Sequence, residues 1–199
     1  AGTADAIDLS GVDVGKIKIG FDNAHDPTAN TNTGDHNITI GAGQTIEIYK
    51  DQHDLEFDFA GTALTGDLTL IAGDDNGALN TAVGTVELGG VFRADSALAG
   101  TVTIQANDAN LTVTTSTTLG AKQAVVITGD EDVSLGTVTA KSVDASASTG
   151  KITMTSTTSA KTITTGSGAD NITTNSAATK HVVATGAGKD TITITATND

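Results

Sequence analysis

The sequence has no cysteine or tryptophan, and only one proline, one tyrosine and four phenylalanines among its 199 residues. Without cysteine the chain has no disulfides, thiolate zinc sites or cysteine nucleophiles. Aromatic residues are only 3% of the chain, so a conventional globular core would lack its bulky side chains, although 37% of the residues are hydrophobic. These absences favour an architecture that buries small and β-branched side chains in strands.

Positive charge is also scarce, because 24 acidic residues face 10 basic ones and leave a net charge of −14. The resulting field repels phosphate backbones, so we expect no nucleic-acid partner and regard cations as the natural partners. No run approaches the roughly 18 apolar residues of a membrane span. The first five residues also lack the basic and apolar regions of a signal peptide. We therefore expect no membrane insertion.

The charge divides the chain into two parts. Residues 1–100 hold 16 acidic and 4 basic side chains, whereas residues 101–199 hold 8 and 6. Four runs in the first part alternate apolar and polar residues, which predicts half-buried strands. These runs are Lys16–Ile19, Asn37–Ile40, Thr45–Ile48 and Leu55–Phe59. We predict an acidic β-rich segment over residues 1–66 and a differently built segment over residues 67–199.

The second segment consists of apolar-x-apolar triplets separated by turns rich in Gly, Asp, Asn and Thr. Near its end the predicted inward positions recur every 9 to 11 residues. They are Val133, Val143, Ile152, Ile163, Ile172, Val182 and Ile192. This period predicts a parallel β-solenoid, or β-roll, in which each strand stacks on its equivalent one coil later. No helical period is sustained, so the predicted fold class is all-β.

Two turns in this segment match residue by residue. Residues 165–173 and 185–193 share the pattern T-G-x-G-x-D-x-I-T at an offset of 20. Glycines allow backbone carbonyls to face a cation, aspartate supplies a hard carboxylate oxygen, and isoleucine anchors the turn in the core. An offset of one coil stacks the turns, so Ca²⁺ could lie between them. The candidate ligands are Asp170, Asp190, Thr165, Gly166, Gly168, Thr185, Gly186 and Gly188.

These turns resemble the RTX (repeats-in-toxin) family of calcium-binding β-rolls, whose nonapeptide is G-G-x-G-x-D-x-U-x. Thr165 and Thr185 replace the first glycine, and the half-coil over residues 174–184 lacks the motif. The segment Asp5–Gly11 also looks like a D-x-I-D-L-S-G sequence found beside RTX blocks. The resemblance implies export without a cleaved signal peptide, an extracellular location and calcium-driven folding.

The composition and the segment Ser142–Gly150 further resemble RTX-type surface-layer (S-layer) proteins of Gram-negative bacteria. This resemblance implies a structural protein of the bacterial cell surface that assembles with copies of itself. A cell-surface polysaccharide is a second partner to consider. An RTX adhesin module that binds a surface ligand is the alternative with the same fold and the same metal.

Other acidic turns contain Asp74, Asp75, Asp130 and Asp132, which could hold further calcium ions. An ordinary solvated turn is the competing interpretation for them. The same alternative applies to Asp170 and Asp190, because an aspartate in such a turn can instead cap its own backbone.

Catalysis receives little support from the sequence. Parallel β-helices also occur in polysaccharide-processing enzymes, but the chain offers few aromatic residues and a single Arg93 for such a groove. No motif organises its serine, histidine and aspartate residues into a catalytic group. We therefore expect a non-enzymatic protein.

A further alternative is an ice-binding solenoid, since Thr-x-Thr triplets recur along the chain. They occur at 101–103, 112–114, 137–139, 153–155, 162–164 and 191–195. Threonine is, however, a favoured outward residue on any β surface. From Val102 to Val133 the apolar triplets are spaced irregularly, by 8 to 14 residues, which argues against a flat array.

Overall fold

A computed structural model describes residues 6–9, 15–19, 36–40, 43–48, 55–59, 67–73, 85–88, 91–94, 100–113, 116–118, 124–157, 162–175 and 181–195. These residues contain strands and no helix, and hence no helix that could cross a membrane. The first strands are β1 (Ala6–Leu9), β2 (Ile17–Ile19), β3 (His36–Ile40), β4 (Thr45–Ile48), β5 (Leu55–Phe59), β6 (Leu68–Ala72), β7 (Thr85–Leu88), β8 (Val91–Ala94), β9 (Thr101–Ala106) and β10 (Asn110–Val113). The remaining strands are β11 (Ser116–Thr118), β12 (Ala124–Gly129), β13 (Val133–Thr139), β14 (Ser142–Ser148), β15 (Ile152–Ser156), β16 (Thr162–Thr164), β17 (Asn171–Asn175), β18 (Val182–Ala184) and β19 (Thr191–Thr195).

The strands form two parallel sheets that the chain visits in turn, which confirms the predicted all-β solenoid. Sheet A runs in the order β1-β3-β5-β8-β11-β13-β15-β17-β19, with β7 and β10 joined to it through β13. Sheet B runs β18-β16-β14-β12-β9-β6-β4-β2. Every pairing is parallel between non-consecutive strands, so each coil adds one layer to both sheets at the usual spacing of about 4.8 Å.

The core is a column of aliphatic side chains between the sheets. Val102, Val125 and Val143 follow one another on sheet B, and Met154 lies beside Ile172 on sheet A. No bulky aromatic side chain is among the buried hydrophobic residues that the structure describes. Stacking equivalent positions lets β-branched side chains fill the narrow interior without aromatic residues.

One predicted inward position is wrong. Val183, not Val182, pairs with Ile163 and packs against the core, while Val182 is 50% exposed. The coil length explains the shift, because Ile163 and Val183 are 20 residues apart, like Ile172 and Ile192. The series with a spacing of ten is therefore an average over two half-coils of slightly different length.

The four early strands confirm the predictions made from alternating residues. Strands on the two sides of residue 66 also pair with each other, β4 with β6 and β5 with β8. The predicted division of the chain into residues 1–66 and 67–199 nevertheless stays a prediction.

Strand β4 differs from the expected half-buried pattern, because its charged position is buried too. Glu47 has no exposed surface and lies 2.9 Å from Lys16 Nζ and 2.7 Å from Lys18 Nζ. A buried carboxylate is tolerated only when opposite charge compensates its lost hydration. Lys18 in β2 and Lys16 just before this strand therefore help to hold β2 against β4.

Candidate functional site

The two matching turns lie on consecutive coils. Residues 165–170 connect β16 to β17, and residues 185–190 connect β18 to β19. Because β16 pairs with β18 and β17 with β19, the second turn stacks directly on the first. The structure thus brings together all eight residues that the sequence singled out as ligands in this segment.

Glycines allow the stacked turns to approach closely. A Cβ atom on Gly186 would lie 2.1 Å from the carbonyl oxygen of Gly166, and one on Gly188 would lie 2.1 Å from that of Gly168. Ala187 N donates to the same Gly166 oxygen at 3.0 Å. No side chain fits in such gaps, so the glycines permit direct backbone contact between coils.

The threonines that replace the first glycine of the RTX pattern connect the coils. Thr165 is 2% exposed, and its Oγ1 donates to the carbonyl oxygen of Thr185 at 3.1 Å. Its backbone amide donates to Ala184 O at 2.8 Å. The Thr165 hydroxyl is therefore hydrogen-bonded to the carbonyl oxygen of Thr185, which is one of the predicted cation ligands.

The two aspartates cap backbone amides of the preceding coil. Asp170 Oδ1 accepts a hydrogen bond from Ile152 N at 2.8 Å, and Asp190 Oδ1 accepts one from Asp170 N at 3.1 Å. The carboxylates consequently face two successive gaps between coils, where the sequence had suggested one shared gap. Each aspartate therefore uses Oδ1 to cap the backbone of a neighbouring coil, and not its own backbone as the alternative interpretation supposed.

The second oxygen of Asp170 is different. Asp170 is 1% exposed, and its buried Oδ2 has no hydrogen-bond partner. An ionised carboxylate in such a place needs a compensating charge or donor, because an unsatisfied buried charge is strongly destabilising. Carbonyl oxygens of Ser148 and Gly150 lie against the backbone of Gly166 and Gly168 in the same gap. This set of oxygens is the kind that Ca²⁺ binds.

Acidic side chains do not cluster at this site. Within the described residues, no group of three or more His, Cys, Asp or Glu side chains could hold a metal ion. A cation at Asp170 would therefore depend on backbone carbonyls and water for most of its six to eight oxygen ligands.

The additional predicted residues fall in different places. Asp130 is exposed, and Asp132 Oδ1 accepts from Lys151 N at 2.8 Å. Asp74 and Asp75 lie outside the described residues. Asp132 and Asp170 thus cap adjacent amides of the dipeptide Lys151-Ile152 from the two neighbouring coils.

These caps belong to a recurring arrangement that the sequence analysis missed. Asn110 Oδ1 accepts from Asp132 N at 2.8 Å, and Asp67 Oδ1 accepts from Thr101 N at 2.8 Å. The signal in the sequence is an Asp or Asn one or two positions before the first apolar residue of a strand. Each such residue supplies an acceptor for an amide of a neighbouring coil, at the end of the strand ladder.

A second surface covers the outer face of sheet A. Strand register aligns polar residues in two rows that cross five coils, and all of them except Asn171 carry a hydroxyl group. One row is Thr112, Ser134, Thr153, Asn171 and Thr191; the other is Ser116, Thr137, Thr155, Thr173 and Thr193. A register shift between Ser134 and Thr137 absorbs one extra residue and keeps both rows continuous. The irregular spacings in the sequence therefore do not disrupt this array.

Among the described residues, sheet B has no corresponding array over five coils. Its outward positions in one column are Thr103, Val126, Asp144, Thr164 and Ala184. Ser146 donates hydrogen bonds to the Asp144 carboxylate, including one from its backbone amide at 3.0 Å, and these lower the pKa of Asp144. The threonine rows are thus a feature of one face of the solenoid.

Comparison with known proteins gave no match to a protein-family model, a curated protein or a solved structure. The resemblance to RTX and S-layer proteins consequently depends on the motifs quoted above. The assignment of the solenoid fold rests on the pairing of the strands.

Proposed function

We propose that this chain is a calcium-stabilised structural module of a bacterial surface layer, with calcium bound in the inter-coil gap beside Asp170. The observation that supports calcium most directly is the buried Asp170 Oδ2, which has no hydrogen-bond partner. A divalent cation there would compensate the carboxylate and hold two coils together. Asp190 and the turn over residues 185–190 would close the following gap in the same way.

Calcium would stabilise the solenoid by binding to stacked coils and not to the unfolded chain. The glycines that permit close stacking also raise the backbone entropy lost on folding. A ligand present at 100 times its dissociation constant adds about 2.7 kcal/mol of stability. Secretion into a calcium-rich medium, as the resemblance implies, would then trigger folding at the destination.

A structural role is supported by the last described coil. Ile192 is 46% exposed, although it continues the apolar column of Met154 and Ile172, and Ile194, which pairs with Thr174, is 69% exposed. An apolar strand at the end of a solenoid invites pairing with a further strand. In the proposed layer, contact with another copy covers this coil, and calcium lowers the repulsion between chains of charge −14.

The calcium proposal is tested with Asp170→Asn. Asparagine keeps the acceptor for Ile152 N but removes the charge from the buried carboxyl. The matched control is Asp144→Asn, an exposed aspartate on sheet B whose carboxylate accepts from Ser146 N. We expect millimolar Ca²⁺ to raise the unfolding midpoint of the wild type and of the control, and to raise that of Asp170→Asn by much less.

Calcium titration calorimetry on the same three proteins separates specific binding from general screening. If chelation leaves the midpoint and the proteolysis of residues 165–195 unchanged in the wild type, the calcium proposal is wrong. Equal responses of Asp170→Asn and Asp144→Asn would indicate diffuse electrostatics. Electron microscopy across the titration then distinguishes a lattice-forming protein, which gives ordered sheets, from an adhesin module, which stays dispersed and binds a surface ligand.

The threonine rows support a second candidate function, the binding of ice. In a parallel sheet, residues in one row are about 4.8 Å apart, and the rows at positions i and i+2 are about 6.6 Å apart. In β15, β17 and β19 the two rows lie two residues apart, so their side chains form a regular array that would match the ordered water of an ice surface. The register over five coils is the observation that favours this function over ordinary outward threonines.

Ice binding is tested with Thr155→Tyr, which places a bulky side chain in the middle of one row. The control is Thr164→Tyr, at an outward position of sheet B. We expect the wild type and the control to inhibit ice recrystallisation and Thr155→Tyr to lose that activity. Lack of inhibition by the wild type, or equal inhibition by all three proteins, would refute this second candidate.

A further inference from the structure

A cleft of about 220 Å³ runs across three coils of sheet A, where β10, β13 and β15 begin. Its polar lining comes from pairs of residues on β10, on β13 and its preceding turn, and on β15 and its preceding turn. These residues are Asn110, Thr112, Asp132, Ser134, Lys151 and Thr153. The cleft thus combines a carboxamide, a carboxylate, an ammonium and three hydroxyl groups on a rigid sheet.

The polar groups are held in place by contacts between coils. Asn110 Oδ1 accepts from Asp132 N, and Asp132 Oδ1 accepts from Lys151 N, both at 2.8 Å. Within the part of the chain that the structure describes, Asp132 Oδ2, Asn110 Nδ2 and the Lys151 ammonium have no partner. One atom of each amide or carboxylate is therefore used for positioning, and the other is available to a ligand.

From this arrangement we infer that the cleft binds a neutral monosaccharide unit of a polysaccharide. A sugar presents adjacent hydroxyl groups that both donate and accept hydrogen bonds. A site that binds a sugar therefore needs donors and acceptors close together. Asp132 supplies the acceptor, Asn110 and Lys151 supply donors, and the hydroxyls of Thr112, Ser134 and Thr153 serve as either. The volume is below the roughly 300–1,000 Å³ of pockets that enclose drug-sized ligands, which suits a single sugar ring.

The charges favour a neutral sugar over an acidic one. Asp132 and Lys151 balance each other inside the cleft, while the whole chain carries −14 and repels polyanions. None of the described residues that line the cleft is aromatic, so each unit binds weakly and a polymer gains by presenting many units to many copies of the protein. This binding uses the opposite side of the Lys151-Ile152 dipeptide from Asp170 and does not depend on calcium.

Affinity electrophoresis in gels containing dextran, mannan or polygalacturonate tests the inference on the whole chain. The variants are Asp132→Asn, which keeps an acceptor for Lys151 N, and Lys151→Met, with Asp144→Asn as the control. We expect at least one neutral polysaccharide to retard the wild type and the control. Both cleft variants are expected to lose affinity at least tenfold, which corresponds to about 1.4 kcal/mol.

Each outcome separates this inference from the calcium proposal. Retardation by neither dextran nor mannan, or only by polygalacturonate, overturns the saccharide inference. Equal retardation of all variants also overturns it, as does loss of retardation on chelation while circular dichroism shows the protein still folded, because the cleft would then hold a metal. The calcium response of the unfolding midpoint is measured separately and stands or fails by itself.

Discussion

The substitution Gly186→Ala tests whether direct backbone contact between coils stabilises the C-terminal turns. Gly186 has φ 70° and Gly43 has φ 74°, so alanine adopts the same left-handed conformation at both positions. A Cβ at Gly186 would lie 2.1 Å from Gly166 O, whereas a Cβ at Gly43 would have no atom within 4 Å. Gly43→Ala is therefore a matched control that differs only in the neighbouring coil.

The two substitutions share one cost and differ in two others. Each incurs about 1–2 kcal/mol for placing a Cβ in the left-handed region. Gly186→Ala also forces the coils apart, which costs about 1–3 kcal/mol as overpacking. It further weakens the hydrogen bond from Ala187 N to Gly166 O, which contributes about 1 kcal/mol to the free energy of unfolding. The expected difference is thus about 2–4 kcal/mol between the two variants.

Thermal unfolding and hydrogen exchange measure this difference. A change of 1 kcal/mol shifts the midpoint by about 2–4 °C in a protein of this size, so the two midpoints should differ by about 4–16 °C. If the last coil opens separately from the rest, the loss appears as faster amide exchange in β18 and β19. Equal midpoints together with equal exchange in these strands would refute the argument that close stacking requires glycine.

Three further predictions follow from charged and exposed residues. Replacing both Lys16 and Lys18 by Gln should reduce the free energy of unfolding by about 3–5 kcal/mol in chemical denaturation, because it takes both positive charges away from the buried Glu47 carboxylate; Glu47→Gln should cost less, because the lysines it leaves are partly exposed. Asp144→Ala should lower the midpoint at pH 7. The folded-state pKa of Asp144 is lowered from 3.8, so its contribution is complete above that value and is lost as the pH falls through the lowered pKa. The midpoints of wild type and Asp144→Ala should therefore converge in acid, and a constant gap would contradict the assignment. Ile194→Glu should weaken self-association in light scattering with calcium present, whereas unchanged association would exclude the last coil as a contact.

The sequence by itself determined the fold class and the location of the stacked turns. Alternating residues identify β2 to β5, and the offset of 20 between the Gly-x-Gly-x-Asp turns places them on consecutive coils. These features are local or strictly periodic, so residue spacing is enough to find them. The small, β-branched composition likewise indicates a narrow core.

Only the tertiary structure decided which residues meet across coils. The two half-coils differ in length, so an average spacing of ten pointed to Val182 where the strand register places Val183 inward. Spacing alone could also not reveal that a register shift after Ser134 keeps two threonine rows continuous. The burial of Glu47 and of Asp170 Oδ2 also depends on neighbours from other coils. Hydrogen bonding and desolvation are set by these distant contacts, and the linear sequence does not specify them directly.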